Sequence, residues 1–381
     1  MRLFYVAHIR VPSEKAHTFQ IFRMCAAFAA AGAEVTLVVP DRRNFLPENP
    51  FLFYGVPHSF QIIRLPVVDT IGSRWLPGHL ALGIALLSFL SSTRRFLRKE
   101  SDAVIYTREL WLLPFLHNCG CFLAFECHDF PARFLAYARW ALRQPDVVFA
   151  TTDALATRLS SMVKCARVPV YRNGVDATFL AAPERNNARQ RLGLPQDRSL
   201  VVYTGQLHAW KGIETLLRAS ALLPTTVRCV VVGGTDDAIA AWQKKIPDAR
   251  VQFVGQRPRQ EMPLWLAAAD VCVLPNSAMT RESQEFTSPI KLFEYLAAGC
   301  TVVASDLPSI REIVGQHPAV TFVPPDDAAA LAVSLQAALS RPQWTSQDAA
   351  DTQRQAFFEN YSWDARAKKI LDDVVRAFEG R

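Results

Sequence analysis

The chain predicts an α/β fold made of two doubly wound, Rossmann-like domains facing each other across a cleft. Three observations carry that expectation. Short apolar, β-branched runs alternate with helical stripes along most of the sequence. The alternation lapses once, over residues 181–198, and then restarts. The length, 381 residues of which 50% are hydrophobic, suits two cores better than one or three. Strand-helix alternation implies parallel sheets covered on both faces, whose ligands bind beyond the carboxyl ends of the strands.

In the first half, residues 3–7 and 34–39 read as strands. Between them Ile21, Met24, Cys25 and Phe28 form an i, i+3, i+4, i+7 stripe that stops at Gly32, after a long loop from His8 to Ala16. Further strands are expected at 61–65, 103–106, 121–126 and 146–150, the last leading into Thr151-Thr152-Asp153 as a helix start. Trp75 to Thr93 is nearly uncharged, contains Pro77 and Gly78, and is followed at once by Arg94-Arg95. A bilayer span takes about 20 apolar residues, so this segment reads as a buried helix or as one resting on a membrane surface with its basic end at the headgroups. Asn173-Gly174-Val175-Asp176 is a turn signal. The polar, alanine-rich stretch 181–198 has no strong period and reads as the linker between domains at 1–180 and 181–360. Strands then follow at 199–204, 227–232, 251–254, 271–274, 301–304 and 320–323. A closing helix carries Ile370, Leu371, Val374 and Phe378, and over 361–381 it is expected to pack back on the first domain.

The net charge of +7 and a pI of about 9.1 suit anionic partners: nucleotide diphosphates, acidic headgroups or nucleic acid. Basic residues are scattered apart from Arg94-Arg95 with Arg98-Lys99, with no arginine-rich tail, which argues against nucleic acid. The eight cysteines (25, 119, 121, 127, 165, 229, 272 and 300) lie mostly in apolar runs without CxxC or zinc spacing, so reduced, buried thiols and a cytosolic setting are expected. Met1 to Ala7 is too short an apolar run for a secretory signal and reads as a first strand.

The densest chemical signal is Ser288 to Gly299. Ser288 suits an N-cap, Pro289 the first helical position and Gly299 a left-handed stop. Lys291 and Glu294 share a face near a helix start that favours anions, a pairing that suits a phosphate and a sugar diol. Taken alone, the two also fit a solvated surface pair worth about 0.2–0.5 kcal/mol. The strand ending at Thr204 leads into Gly205-Gln206-Leu207-His208-Ala209-Trp210-Lys211-Gly212, which places a glycine turn and a lysine at a helix entrance. Gly205 permits close backbone approach and Lys211 supplies a point charge, although a lysine there also fits a plain surface position. The spacing is not that of a Walker loop, and no GxGxxG follows a strand, which disfavours P-loop hydrolase and dinucleotide oxidoreductase chemistry. Gly233-Gly234 form a second turn past a strand. Phe125 to Asp129 closes an apolar strand with polar side chains, putting His128 in reach of a sugar hydroxyl or leaving group. With no Asp-x-Asp pair and no metal-type cluster, no metal or other cofactor is expected, and a leaving diphosphate would be neutralised by cations and helix amides.

Together these segments resemble the glycosyltransferase family 4 group of retaining, GT-B-fold enzymes. The matching pieces are Glu126-Cys127-His128-Asp129, Asn173 to Asp176, Tyr203 to Leu207 with Lys211-Gly212, Val232-Gly233-Gly234, Phe253-Val254-Gly255, Ala269-Asp270, Ser288 to Gly299 with Val303 to Asp306, and Tyr361-Ser362-Trp363. The resemblance implies transfer of a sugar from a nucleotide-diphosphate donor to an acceptor, with retention. The apolar 75–93 segment, the basic cluster beside it and the net positive charge fit work at the cytosolic membrane face on a saccharide or lipid-linked acceptor, in surface polysaccharide or glycolipid assembly. The resemblance assigns the diphosphate to Lys211, the ribose hydroxyls to Glu294, phosphate or sugar contacts to the amides of Ser288, Pro289 and Ile290, and a donor-sugar contact to His128. Gly205, Gln206, Gly233 and Lys291 complete the donor side; Arg10 and His17 lie on the acceptor side. Two departures stand out. Gln206 replaces the arginine that the family usually carries after the glycine. Phe286 stands where the first of two paired glutamates is usual, with Glu285 one place off register and Arg281 and Glu282 nearby. These departures keep open a sugar-nucleotide epimerase or hydrolase on the same fold, or a non-catalytic nucleotide-sugar binder.

Overall fold

The computed structural model describes every residue except 45, 47–48, 73–74, 101, 132, 164–166, 248–250, 341–346 and 381. These residues form two compact units, Met1–Tyr171 with Trp363–Arg381, and Arg172–Ser362. The boundaries therefore fall at 171/172 and 362/363 rather than 180/181 and 360/361, and 181–198 is no linker. Arg185–Leu192 in that stretch is a helix of the second unit, stopped by Gly193. Its buried anchor is a guanidinium. Arg189, 3% exposed, donates to Asp270 Oδ2 (2.6 Å), Ala268 O (2.9 Å) and Arg198 O (3.1 Å). A helix anchored by an arginine shows no apolar stripe, which is why its sequence reads as irregular.

The first unit is a six-stranded parallel sheet of β1 (Arg2–Val6), β2 (Glu34–Asp41), β3 (Gln61–Pro66), β4 (Ala103–Thr107), β5 (Phe122–Cys127) and β6 (Val147–Ala150), in the order β3-β2-β1-β4-β5-β6. The predicted stripe Ile21, Met24, Cys25 and Phe28 is buried on the helix Ala16–Ala30. The final helix, Trp363–Glu379, adds Ala367, Ile370, Leu371 and Val374 to the same core. A buried ion pair anchors it. Arg366 donates to Glu126 Oε1 (2.6 Å) and to the Tyr171 carbonyl (3.1 Å), while Tyr106 and His128 also bond the Glu126 carboxylate. Burial by itself would raise the Glu126 carboxyl, but Arg366 and His128 override it and hold the group well below the usual carboxylate range.

The apolar segment after Trp75 forms the helix Gly78–Leu97, which is neither wholly buried nor free. Ala81, Ala85, Phe89, Thr93 and Leu97 face inward, while Leu80, Leu82, Ile84 and Leu87 are exposed. Seven cysteines are buried; Cys165 lies outside the described residues.

The second unit repeats the plan with β7 (Ser199–Thr204), β8 (Val227–Val232), β9 (Val251–Gly255), β10 (Val271–Leu274), β11 (Val302–Ser305) and β12 (Val320–Val323), in the order β12-β11-β10-β7-β8-β9. In each sheet the first and fourth strands of the unit are neighbours, so the chain leaves their carboxyl ends in opposite directions and opens a crevice, at β1/β4 and at β7/β10. The helix Ile290–Ala297 is tied to the end of β7, where the Thr204 amide donates to Tyr295 Oη (3.0 Å). Its stop is the predicted one. Gly299 adopts φ +77°, its amide bonding Leu296 O and that of Cys300 bonding Tyr295 O, a Schellman arrangement.

Its start differs from expectation. Pro289 is the extended residue before the helix, and Ser288 makes no cap, because its hydroxyl accepts from the Asn173 amide (3.2 Å) and its carbonyl from Asn173 Nδ2 (2.5 Å). The turn around Asn173 thus seats the chain ahead of the helix.

Arg366→Ala should destabilise the first unit by about 3–5 kcal/mol in urea or thermal unfolding, because it strands a buried carboxylate. Glu126 carries a depressed pKa, so its contribution is present above about pH 4.3, where an unfolded glutamate is ionised, and is lost as pH falls below that. Unfolding measured between pH 3 and 7 should therefore show the wild type converging on the variant in acid.

Candidate active site

Around the end of β7, Gly205, Gly233 and Lys291 of the sequence-predicted donor residues come together, with Lys211 in the segment that follows. Gly205 ends β7 with φ +126°, its amide bonded to Val232 O (2.8 Å). Gly233 backs it at the end of β8: a Cβ on residue 233 would lie 2.3 Å from the Gly205 carbonyl oxygen. Gly212 is tighter still, since a Cβ there would fall 1.7 Å from the Pro275 carbonyl oxygen. Only glycine lets the segment after β7 lie against the loop after β10. Lys211 occupies a short 3-10 turn, Ala209–Lys211, just before the helix Ile213–Leu222.

Two ammonium groups meet here. Lys211 Nζ sits 3.5 Å from the centroid of the Trp210 ring, and burial, partly opposed by Glu282, lowers its pKa to about 8. Lys291 Nζ sits 3.9 Å from the Tyr203 ring centroid and 3.0 Å from where a Cβ on Gly205 would be. It is out of solvent and has no hydrogen-bond partner among the described residues. Burial, reinforced by the charge of Lys211, holds it well below an ordinary lysine. Glu294 does not neutralise either group. It is buried and paired with Arg259, which excludes the surface Lys291–Glu294 pair. Gln206 is exposed, and its carbonyl accepts from Tyr203 Oη (2.8 Å).

Sequence reasoning missed three residues at this end of the sheet. Asn276 is 1% exposed with both amide atoms unpartnered among the described residues, and the Ser283 hydroxyl is likewise buried without a partner. Asn276 follows Pro275 directly after β10, and an amide just past a strand end at the topological switch was the available signal. Arg259 carried no local signal, since its pairing with Glu294 spans 35 positions. Phe286, in the position where the resemblance expects a glutamate, is 7% exposed and can only pack.

In the first unit His128 does not offer the free ring nitrogen expected of a sugar contact. Its Nε2 bonds Glu126 and its Nδ1 bonds Arg108. Burial and the Arg108 charge lower its pKa to about 3, so the ring is neutral; with those partners Nε2–H donates to the carboxylate and Nδ1 accepts from the guanidinium. While those bonds stand, neither nitrogen is available to a sugar hydroxyl. Arg10 is half-buried in the loop after β1, and His17 is exposed in the first turn of the helix Ala16–Ala30. That loop is pinned by Tyr54, whose hydroxyl accepts from the Ser13 amide (2.6 Å) and donates to the Ser13 carbonyl (2.8 Å). At the β1/β4 crevice the His8 amide donates to Glu109 Oε1 (3.2 Å), and burial raises the Glu109 carboxyl.

Family models match both halves of the chain: Glycosyltransferase Family 4 over residues 19–179 and Glycosyl transferases group 1 over residues 198–341. Among curated relatives, the D-inositol 3-phosphate glycosyltransferase of Streptosporangium roseum is 26% identical over 289 residues, 70% of this chain and 64% of the relative, so the chain spans just under two thirds of its length. The protein of the same name from Frankia alni is 30% identical over 329 residues, 80% of this chain and 73% of the relative. Among solved structures, sucrose-phosphate synthase from Thermosynechococcus elongatus superposes with a TM-score of 0.78 at 22% identity over 100% of both chains. Anabaena HepE, in complex with UDP and glucose, gives 0.74 at 18% identity over 99% of both. These structures share the two-unit GT-B fold. Two parallel sheets of that topology, matched in each half by the family's own models and along most of the chain by a relative at 30% identity, establish that this chain belongs to the family 4 glycosyltransferases.

Proposed function

We propose that the chain transfers a glycosyl group from a nucleotide-diphosphate donor to a saccharide or lipid-linked acceptor, with retention at the anomeric carbon. The observation that carries this reading is the pair of ammonium groups beside the glycine turn: Lys291 Nζ lies against Gly205 with no hydrogen-bond partner among the described residues, and Lys211 is close enough to act on it, with Glu282 only partly offsetting the burial of Lys211. A diphosphate is the anion that such a pair and the first helical amides would hold. When the bond from the anomeric carbon to the diphosphate oxygen breaks, negative charge grows on that oxygen, and Lys211 stabilises it in place. The diphosphate can itself take the proton of the acceptor hydroxyl that attacks from the same face, so the step needs charge stabilisation more than a protein base. Because the lysines supply the positive charge, we assign the reaction no metal. Glu294 is suited to the ribose hydroxyls once Arg259 shifts, and the UDP of the HepE structures makes UDP the first nucleotide to test.

The helix Gly78–Leu97 supports work at a membrane surface. Its inward stripe holds it to the sheet, its outer side exposes Leu80, Ile84 and Leu87, and Arg95 and Arg98 follow on the same side. That pattern suits shallow contact with anionic lipid rather than a span.

Lys211→Ala should cut turnover by about 10²–10³-fold, the size of one lost transition-state contact, with an unchanged circular dichroism spectrum. Near-normal turnover would remove the donor assignment. In the wild type kcat/KM should fall above about pH 8 as Lys211 loses its proton. Glu294→Gln should weaken UDP binding in calorimetry more than it slows chemistry at saturating donor; unchanged affinity would refute its ribose role. The protein should sediment with vesicles containing anionic phospholipid and not with neutral ones, and Arg95→Glu/Arg98→Glu should abolish that; equal sedimentation with both would refute the lipid contact. Product analysis separates transfer, which requires an acceptor, from epimerisation or hydrolysis, which do not.

A further inference from the structure

A donor site built on Lys211 alone leaves Lys291 without a reason. Its ammonium is closed off from solvent, has no hydrogen-bond partner among the described residues, and feels chiefly the like charge of Lys211. A buried, unpaired cation is costly, and a methionine would fill the same stem volume without that cost. The carboxylate three positions along the same helix is taken by Arg259. The helix therefore turns an unneutralised charge toward Gly205, whose missing side chain leaves the room: a Cβ there would stand 3.0 Å from Nζ and 3.3 Å from Cε. On the other side of Gly205 the next residue, Gln206, is neutral and exposed. Tyr203 joins the two, its ring 3.9 Å from Lys291 Nζ and its hydroxyl bonded to the Gln206 carbonyl.

We propose that Lys291 supplies from the helix the phosphate-binding cation that the glycine turn lacks at Gln206, so that one diphosphate is gripped between Lys291 and Lys211. The proposal rests on the donor-site reading above. A dianion entering between the two ammonium groups replaces their mutual repulsion with two charge-assisted contacts, and the face of Tyr203 shelters the Lys291 ammonium while no anion is bound. The positive charge has moved from one flank of Gly205 to the other without leaving the pocket.

Calorimetry with UDP, GDP and ADP tests it. A wild-type protein that binds none of the three overturns the donor-site reading itself. With a nucleotide that binds, Lys291→Met should lose about 10- to 100-fold in affinity and yet melt above the wild type when no nucleotide is present, because the unpaired charge is gone. Adding Gln206→Arg to Lys291→Met should restore most of the lost affinity, since the arginine returns a cation to the same pocket from the turn. Wild-type affinity in Lys291→Met, a lower melting temperature, or no recovery in the double variant would each overturn the assignment while leaving the Lys211 site standing.

Discussion

The Pro275 carbonyl stands where a side chain on residue 212 would have to go, and the proposed donor site depends on that contact. Because β7 and β10 are neighbours at the switch of the second sheet, the segments leaving them run side by side. Glycine at 212 lets them touch, and the Ser277 amide then donates to Trp210 O (3.0 Å), stitching the two together. The Thr204 amide and Tyr295 Oη fix the helix Ile290–Ala297 to the same strand end. Lys211 and Lys291, eighty positions apart, thereby come within electrostatic reach of each other.

Both ammonium groups lie over aromatic faces, Lys211 on Trp210 and Lys291 on Tyr203. A ring quadrupole partly compensates the lost hydration of a cation without neutralising it, so the pocket keeps its appetite for an anion. Carboxylates are handled differently: Glu294 is matched with its own arginine. The unit thus carries an electrostatic cost concentrated at one place, the pattern expected where ligand binding rather than stability selects the residues.

The first unit shows the opposite treatment of buried charge. Glu126 is surrounded by Arg366, His128, Tyr106 and Arg108, and the network closes the final helix onto the sheet. The sequence presents Glu126-Cys127-His128-Asp129 as polar residues ending an apolar strand, and cleft chemistry is a fair reading of that. Neighbouring strands decide otherwise, because Arg108 leaves β4 beside β5 and Arg366 comes from the far end of the chain. His128 consequently serves as a neutral link between a carboxylate and a guanidinium.

By itself the sequence determined the twelve strands to within a residue or two, the glycine turns at 205 and 233, the helix stop at Gly299 and the family. These are properties of local periodicity, backbone conformation and residue order, and each is written in a short window of chain. Tertiary structure decided that Ser288 serves Asn173 instead of capping, that Arg189 anchors a helix inside the supposed linker, that Glu294 answers to Arg259, and that Lys291 lies over Tyr203 with no hydrogen-bond partner among the described residues. Periodicity records whether a position is buried, whereas the partner of a buried charge is set by which strands lie next to each other, and that adjacency joins residues from 35 to 240 positions apart.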